Sequence, residues 1–324
     1  MIEIYHNRDK ELKKTEYEDL SKAVLEKGDW INVVSPTPEI VSALSEKTEI
    51  DKSLLMASLD EEESARVDSD SPDTLIVLDA PYLEDEEKSI YLTAPLIIAY
   101  NKEYIVTISR HPNDLVNEVI KKTKKLEPEK HVRMSLYLVY RLATLFISYL
   151  KKIDGITKEV EKKLHTSMKN RELFDLMDIN KILVYFSTAL NADKGVLTKL
   201  LRSAAFKKYE EDADLLDDTA VELDQAIEMC TIYRDILAGM MDAFASIISN
   251  NLNIVMKTFA IITIVISIPT LVASFFGMNF KESPLYENPY GFWIVTGVSV
   301  VLAVLGTIAL VLAGRSNTSQ KKNK

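Results

Sequence analysis

The 324-residue chain is poor in the residues that mark most sites. A single cysteine, Cys230, excludes an internal disulfide. Four scattered histidines make no cluster with the ligand spacing of a zinc site. No Gly-x-x-x-x-Gly-Lys run is present, so the usual phosphate cradle of an ATP-driven machine is missing. No nucleophile and base stand in a recognisable pattern, and catalysis has no support. With a net charge of -10, nucleic acid is not an expected partner. The opening residues Met1-Ile2-Glu3-Ile4-Tyr5-His6 lack the basic end and apolar core of a signal peptide. The large N-terminal part is therefore expected to stay in the cytoplasm.

Two segments lack charge altogether, residues 258–276 and 292–313. At about 1.5 Å per residue each is long enough for the roughly 30 Å of a hydrocarbon core, and both are read as membrane spans rather than a buried helical hairpin. A third apolar run, 134–150, is interrupted at its centre by Arg141, which costs several kcal/mol at mid-bilayer, so it is expected to be a packed soluble helix. Lys257 precedes the first span, Arg315, Lys321, Lys322 and Lys324 follow the second, and Lys281 is the one basic residue between them. This bias places both termini in the cytoplasm. The outer connection is about a dozen residues, too short for a ligand-binding domain.

In the first 250 residues, β-branched and apolar runs at 30–34, 74–78, 91–99 and 104–108 predict strands, and Tyr100-Asn101-Lys102-Glu103 predicts a hairpin between the last two. Apolar residues every three or four positions predict helices over 132–164 and 173–201. Between 208 and 276 the only helix-disfavouring residues are Gly239 and Pro269, so one helix of about 100 Å can run from the cytoplasm into the bilayer. Pro269 frees the carbonyl of Val265, which within a membrane calls for a neighbour or water. The expected fold is an α+β cytoplasmic domain, then a long helix entering the membrane, with two transmembrane helices per subunit. The expected divisions are 1–205 for the cytoplasmic domain, 206–257 for the cytoplasmic part of the long helix, 258–276 for the first span, 277–291 for the outer loop, 292–313 for the second span and 314–324 for a basic tail.

One face of the first span carries Met256, Ala260, Thr263, Ser267, Thr270 and Ser274, which at 100° per residue fall within an arc of roughly 80°. Small and hydroxylated residues are the usual contacts between membrane helices, so close packing is one reading of this stripe. The other is a solvated path, and two spans cannot enclose one, so it requires several subunits around an axis. Uncharged oxygen ligands, without Cys, His, Asp or Glu in the spans, suit a hard cation that keeps most of its water, as Mg²⁺ does.

The run Phe276-Gly277-Met278-Asn279 at the outer end of that span resembles the mark of the CorA magnesium channels. The resemblance extends through Tyr233-Arg234-Asp235, Gly239, Met241-Asp242, Ser249-Asn250, Asn253, Val255-Met256-Lys257 and Pro269-Thr270, and in pattern over essentially the whole chain. It implies a funnel-shaped homopentamer in the cell membrane with five first-span helices around the pore. It implies that Asn279 and the backbone of Gly277, with Met278 between them, form an outer ring that selects hydrated Mg²⁺. By the same resemblance Asn253, Met256 and Thr270 line the pore, and Met256 with Phe259 forms an apolar gate at the cytoplasmic end, able to close by dewetting. Co²⁺ and Ni²⁺ are expected to pass as well.

Nine carboxylates, Glu210, Glu211, Asp212, Asp214, Asp217, Asp218, Glu222, Asp224 and Glu228, precede this span on the long helix. A solvated face is the ordinary meaning of such a run. Five copies around one axis would repel unless cations lay between them. The resemblance implies that intracellular Mg²⁺ bound there closes the pore, with Asp218 at the matching distance from Asn253 and Asp214 and Asp217 beside it. In the N-terminal domain the matching register falls on Ala57, with Asp60, Glu61 and Glu62 a turn beyond, so Asp60 and Glu61 are the candidate partners. A zinc transporter of the related branch is the alternative, although the intact Gly-Met-Asn and the spans without His or Cys favour magnesium. A two-span sensor or scaffold would need no hydroxyl stripe.

Overall fold

The computed structural model describes residues 1–8, 11–69, 72–85, 89–123, 126–167, 170–278 and 288–320. The chain divides into two units, Met1–Met241 and Asp242–Lys324. The first is built on strands β1 (Ile2–Arg8), β2 (Glu11–Tyr17), β3 (Trp30–Val34), β4 (Arg66–Asp68), β5 (Thr74–Asp85), β6 (Ile90–Tyr100) and β7 (Ile105–Ser109). They form one sheet in the order β2-β1-β3-β7-β6-β5-β4. Only the central β3–β7 pair is parallel; its neighbours are antiparallel. The hairpin expected at Asn101 is there, with the Asn101 side chain accepting from the N–H groups of Glu103 and Tyr104, both at 2.9 Å.

Alternation gives the two sheet faces different chemistry. Ile2, Ile4, Ile31, Val33, Leu75, Val77, Ile97, Val106 and Ile108 turn to one side and bury against Val41 and Leu44 of α1 (Pro38–Thr48) and Leu55 of α2 (Lys52–Met56). Each fully buried Leu or Ile contributes roughly 1.5–3 kcal/mol. Helix α1 begins where the sequence signals it, with Thr37 capping the N–H of Ile40 and Pro38 in the first turn. On the other side of β1, β3 and β7 a chain of buried polar groups is closed by hydrogen bonds. Trp30 Nε1 donates to Thr107 Oγ1 (3.0 Å), Thr107 to Asn32 (2.9 Å), and Asn32 and Tyr5 both donate to Glu3 (2.8 and 2.9 Å).

Helices α3 (Leu115–Lys122), α4 (His131–Ser167) and α5 (Asn170–Arg202) complete this unit. Met134, Leu138, Leu142, Phe146, Tyr149 and Ile153 form the buried stripe of α4, and Phe146 meets Phe186 of α5 edge-on at 5.2 Å. Arg141 donates to the carbonyl of Lys122 in the last turn of α3 at 2.8 Å, so the apolar run around it is a packed helix of the soluble unit, as expected. Helix α5 packs on β4, β5 and β6. Because β4 pairs only with Leu75–Val77, the edge of β5 beyond it is open. The Asp79 N–H on that edge is taken by Asp193 Oδ1 of α5 at 2.9 Å, and two residues on Pro81 has no N–H to place.

Helix α6 (Glu210–Phe276) runs unbroken for 67 residues through Gly239 and Pro269. Glu210, Glu211 and Asp212 in its first turn complement the positive end of the helix dipole. In the first unit it buries Asp212, Leu216, Thr219, Leu223, Ala226 and Cys230 at intervals of three and four. Helix α7 (Gly291–Gln320) belongs to the second unit. A side-chain carbon at Gly306 of α7 would come within 3.1 Å of Ile268 of α6, so glycine there permits close approach of the two helices. Both helices are long and apolar enough to cross a membrane. None of the apolar window of α6 is buried within the chain, which is the opposite of a soluble core hairpin.

Candidate ion pathway

All six stripe residues of α6, Met256, Ala260, Thr263, Ser267, Thr270 and Ser274, are exposed within the single chain, and so is Asn253. The stripe includes groups whose chemistry is set by the helix itself. Thr263 donates to the carbonyl of Phe259 at 2.8 Å, Ser267 to Thr263 at 2.7 Å and Thr270 to Ile266 at 2.9 Å. Each hydroxyl proton is thereby committed to the backbone four residues back, and the oxygen turns its remaining lone pairs outward. An array of outward acceptors is matched to the hydrogens of a hydrated cation's water shell, with no fixed charge to hold the ion in place. Toward the cytoplasmic side of the expected span, Met256 and Phe259 are 60% and 61% exposed, one helical turn apart.

The C-terminal end of α6 closes through Gly277, whose N–H bonds Ala273 O at 2.9 Å, and Met278, whose N–H bonds Phe275 O at 3.3 Å. A β-carbon at Gly277 would lie 3.3 Å from Ala273 O, so the turn is tight around the residue that a side chain would crowd. Asn279, expected to complete the selecting ring, lies outside the described residues.

In the acidic run the structure separates committed carboxylates from free-standing ones. Asp212 is 3% exposed and bonds Arg133 of α4 at 2.6 Å, with Glu211 on the same guanidinium at 2.6 Å. Asp224 pairs with Lys194 of α5 at 2.7 Å. Asp214, Asp217 and Asp218 line the exposed side of the helix. Of the N-terminal candidates, Glu61 pairs with Arg110 at 2.6 Å, while Asp60 accepts the N–H of Glu62 at 2.9 Å just after a 3-10 turn, Ala57–Leu59. Among the described residues no three His, Cys, Asp or Glu side chains of one chain converge to hold a metal. Arg133 was not visible from sequence, since its partner is 79 residues away and no local spacing announces it.

An α/β unit, a helix of 67 residues and a second apolar helix define a two-span membrane protein with a large water-soluble unit. The chain belongs to the family of CorA-like Mg²⁺ transporter proteins, whose profile matches residues 26–312. It is 29% identical over 281 residues to a cobalt/magnesium transport protein CorA of Methanocaldococcus jannaschii, covering 85% of this chain and 87% of that one. It is 22% identical over 322 residues to a magnesium transport protein CorA of Helicobacter pylori, covering 94% of this chain and 98% of the relative. The complete structure of the CorA magnesium transporter from Methanocaldococcus jannaschii superposes with a TM-score of 0.81 at 25% identity, over 95% of this chain and 96% of that one.

Proposed function

We propose that this chain transports Mg²⁺, with Co²⁺ and Ni²⁺ as further cargo, by a channel mechanism in which hydrated ions move down their electrochemical gradient through a homopentamer. The observation that carries the reading is the exposed α6 stripe whose hydroxyl protons are turned back onto the helix. Five such faces around an axis would present rings of acceptors to the water shell of the ion, and no dehydration energy need be recovered from charged ligands. The membrane potential then favours inward movement of a divalent ion by about 4.6 kcal/mol per 100 mV, twice the single-charge value. In this reading Gly277, Met278 and Asn279 select at the outer end, and Met256 with Phe259 closes the inner end.

Regulation is proposed to run through the exposed carboxylates of α6. Because the described residues of one chain gather no three ligands, the inhibitory Mg²⁺ is assigned between copies, with Asp214, Asp217 and Asp218 of one facing Asp60 or Glu61 of the next. Bound cations cancel the repulsion between subunits and hold them together; their loss lets the subunits part and the pore open. Both termini are placed in the cytoplasm, so the sensor reads the internal concentration.

The test is flux into proteoliposomes of the purified protein, with internal Mg²⁺ varied and Zn²⁺ run in parallel under a pH gradient. Mg²⁺ entry that falls as internal Mg²⁺ rises is the expected result. Entry of Zn²⁺ alone would replace this reading with zinc transport, and no flux of either ion would leave a two-span sensor or scaffold.

A further inference from the structure

Within the second unit a groove of about 680 Å³ opens between α6 and α7, lined by Pro269, Ala273 and Phe276 on one side and Phe292, Val295 and Ser299 on the other. This is the size of pocket that takes a small ligand, commonly about 300–1,000 Å³. Its position on α6 is informative. At 100° per residue the groove side of α6 is turned roughly 120° away from the stripe of Met256, Thr263, Ser267 and Thr270. If the stripe faces the axis of an oligomer, the groove faces outward and sideways, away from the ion path.

The groove has a polar end and an apolar shaft. Asn288 and the backbone of Gly277 and Gly291 stand at one end, at the start of α7, and Pro269 and Val300 lie deeper. Around the polar end Tyr290, Phe292 and Trp293 are 68%, 74% and 70% exposed. Large aromatics exposed at the end of a span mark the level of lipid headgroups. The deeper lining then lies at hydrocarbon depth, where no water is available to fill it; it is mostly apolar, and its two hydroxyls, Thr296 and Ser299, donate to the carbonyls of Phe292 and Val295 in their own helix.

We propose that this groove binds one acyl chain of a phospholipid from the leaflet at the N-terminal end of α7, with its headgroup at Asn288 and its tail running past Val295 toward Pro269. The chain fills the space beside the proline of the pore helix, so the occupant braces α6 against α7 from outside the ion path. The proposal rests on the membrane-spanning and axis-facing reading given above.

The test uses the full-length protein in vesicles of phosphatidylcholine doped with an analogue carrying a photoreactive diazirine in its acyl chain, with labelled residues mapped by mass spectrometry. In the bilayer, label is expected on Ala273, Val295 and Ser299 and on the far side of α7 at Ile294, Val301 and Leu305. When the protein is extracted into detergent before irradiation, label is expected to persist on the groove residues and to vanish from the far side. Ala273→Leu, which fills the groove, should remove the persistent label from Val295 and Ser299. Equal loss from both sides on extraction would mean ordinary bilayer contact and overturn the site, as would cross-links from these positions to a second copy of the chain. Label on Thr263 and Ser267 would instead overturn the axis-facing reading of the stripe, and no label on either helix would overturn the membrane reading itself. The wild-type map decides the question even if the variant fails to fold.

Discussion

The two ends of helix α6 obey the same backbone geometry in opposite surroundings. In the first unit Thr219 is fully buried and donates to Leu215 O at 2.6 Å; in the second, Thr263 makes the same bond to Phe259 O at 2.8 Å while exposed. Near its start the helix buries one narrow stripe and turns carboxylates outward, the pattern of a helix half in water. Beyond Asp242 it turns Ile262, Ile264, Ile266 and Leu271 outward as well, which water would not tolerate on such a scale. The hydroxyl that sits inside a core in one region is left exposed in the other, so what surrounds a residue, not its type, decides what it can do.

The sharpest way to break this comparison is just beyond the C-terminal end of the exposed half. Asn279→Ala is expected to abolish Mg²⁺ uptake while the assembly on size exclusion is unchanged, because in the proposed reading its amide selects the ion. Uptake at the parent rate would remove the selecting role from this residue. In the buried half the largest effect is expected at the clasp that fixes the head of the helix. Arg133→Met leaves Asp212 buried without its counter-charge and is expected to cost about 3 kcal/mol in denaturant unfolding of the full chain, and adding Asp212→Leu should recover most of it. A loss well under 1 kcal/mol would mean that solvent reaches the pair.

These two halves were not equally legible in the sequence. The spans declare themselves by lacking charge, and the stripe from Met256 to Ser274 by its spacing, because a bilayer imposes one rule on every residue it touches. Strands β3 and β7 were visible as short β-branched runs, and α4, α5 and α6 through helical periodicity. Strands β1 and β2 were not singled out, since Glu3, Asn7, Lys13 and Glu16 break the apolar runs that signal a strand; Glu3 is inside only because Asn32, Tyr5 and Lys14 arrive from elsewhere to satisfy it. Nor did the acidic run announce which carboxylates were already paired. Asp212 with Arg133 and Asp224 with Lys194 are meetings of distant segments, and nothing local distinguishes them from Asp217 and Asp218.

Asp193 offers a subtler probe of the buried region. Its Oδ1 caps the Asp79 N–H while its Oδ2 is buried without a hydrogen bond. Burial, with the charge of Asp79 adding to it, pushes this carboxyl well above its usual value of 3.8. The folded chain therefore keeps a proton that the unfolded chain releases just above that value. Folding takes up a proton there, so stability falls as pH rises until the folded value is passed. Asp193→Asn keeps the cap for Asp79 and removes the ionisation, and is expected to flatten this dependence in unfolding measurements carried upward from the usual carboxyl value of 3.8. A variant as steep as the parent would place the titration elsewhere.

The smallest effect on the fold is expected where the exposed carboxylates face solvent. Asp217 and Asp218 are exposed, so replacing both with Ala should shift unfolding by no more than about 0.5 kcal/mol. Their expected effect is on the ion: if these carboxylates bind the inhibitory cation as proposed, flux at millimolar internal Mg²⁺ should rise in the double variant, because removing two negative charges per copy lowers the affinity for that cation. Read as a curve of uptake against internal Mg²⁺, the inhibition midpoint should move to higher concentration while uptake without internal Mg²⁺ stays at the parent rate. An unchanged curve would return this face to simple solvation, and a change in stability without a change in inhibition would make the two carboxylates part of the soluble unit's structure, erasing the distinction between the committed and the free members of the acidic run.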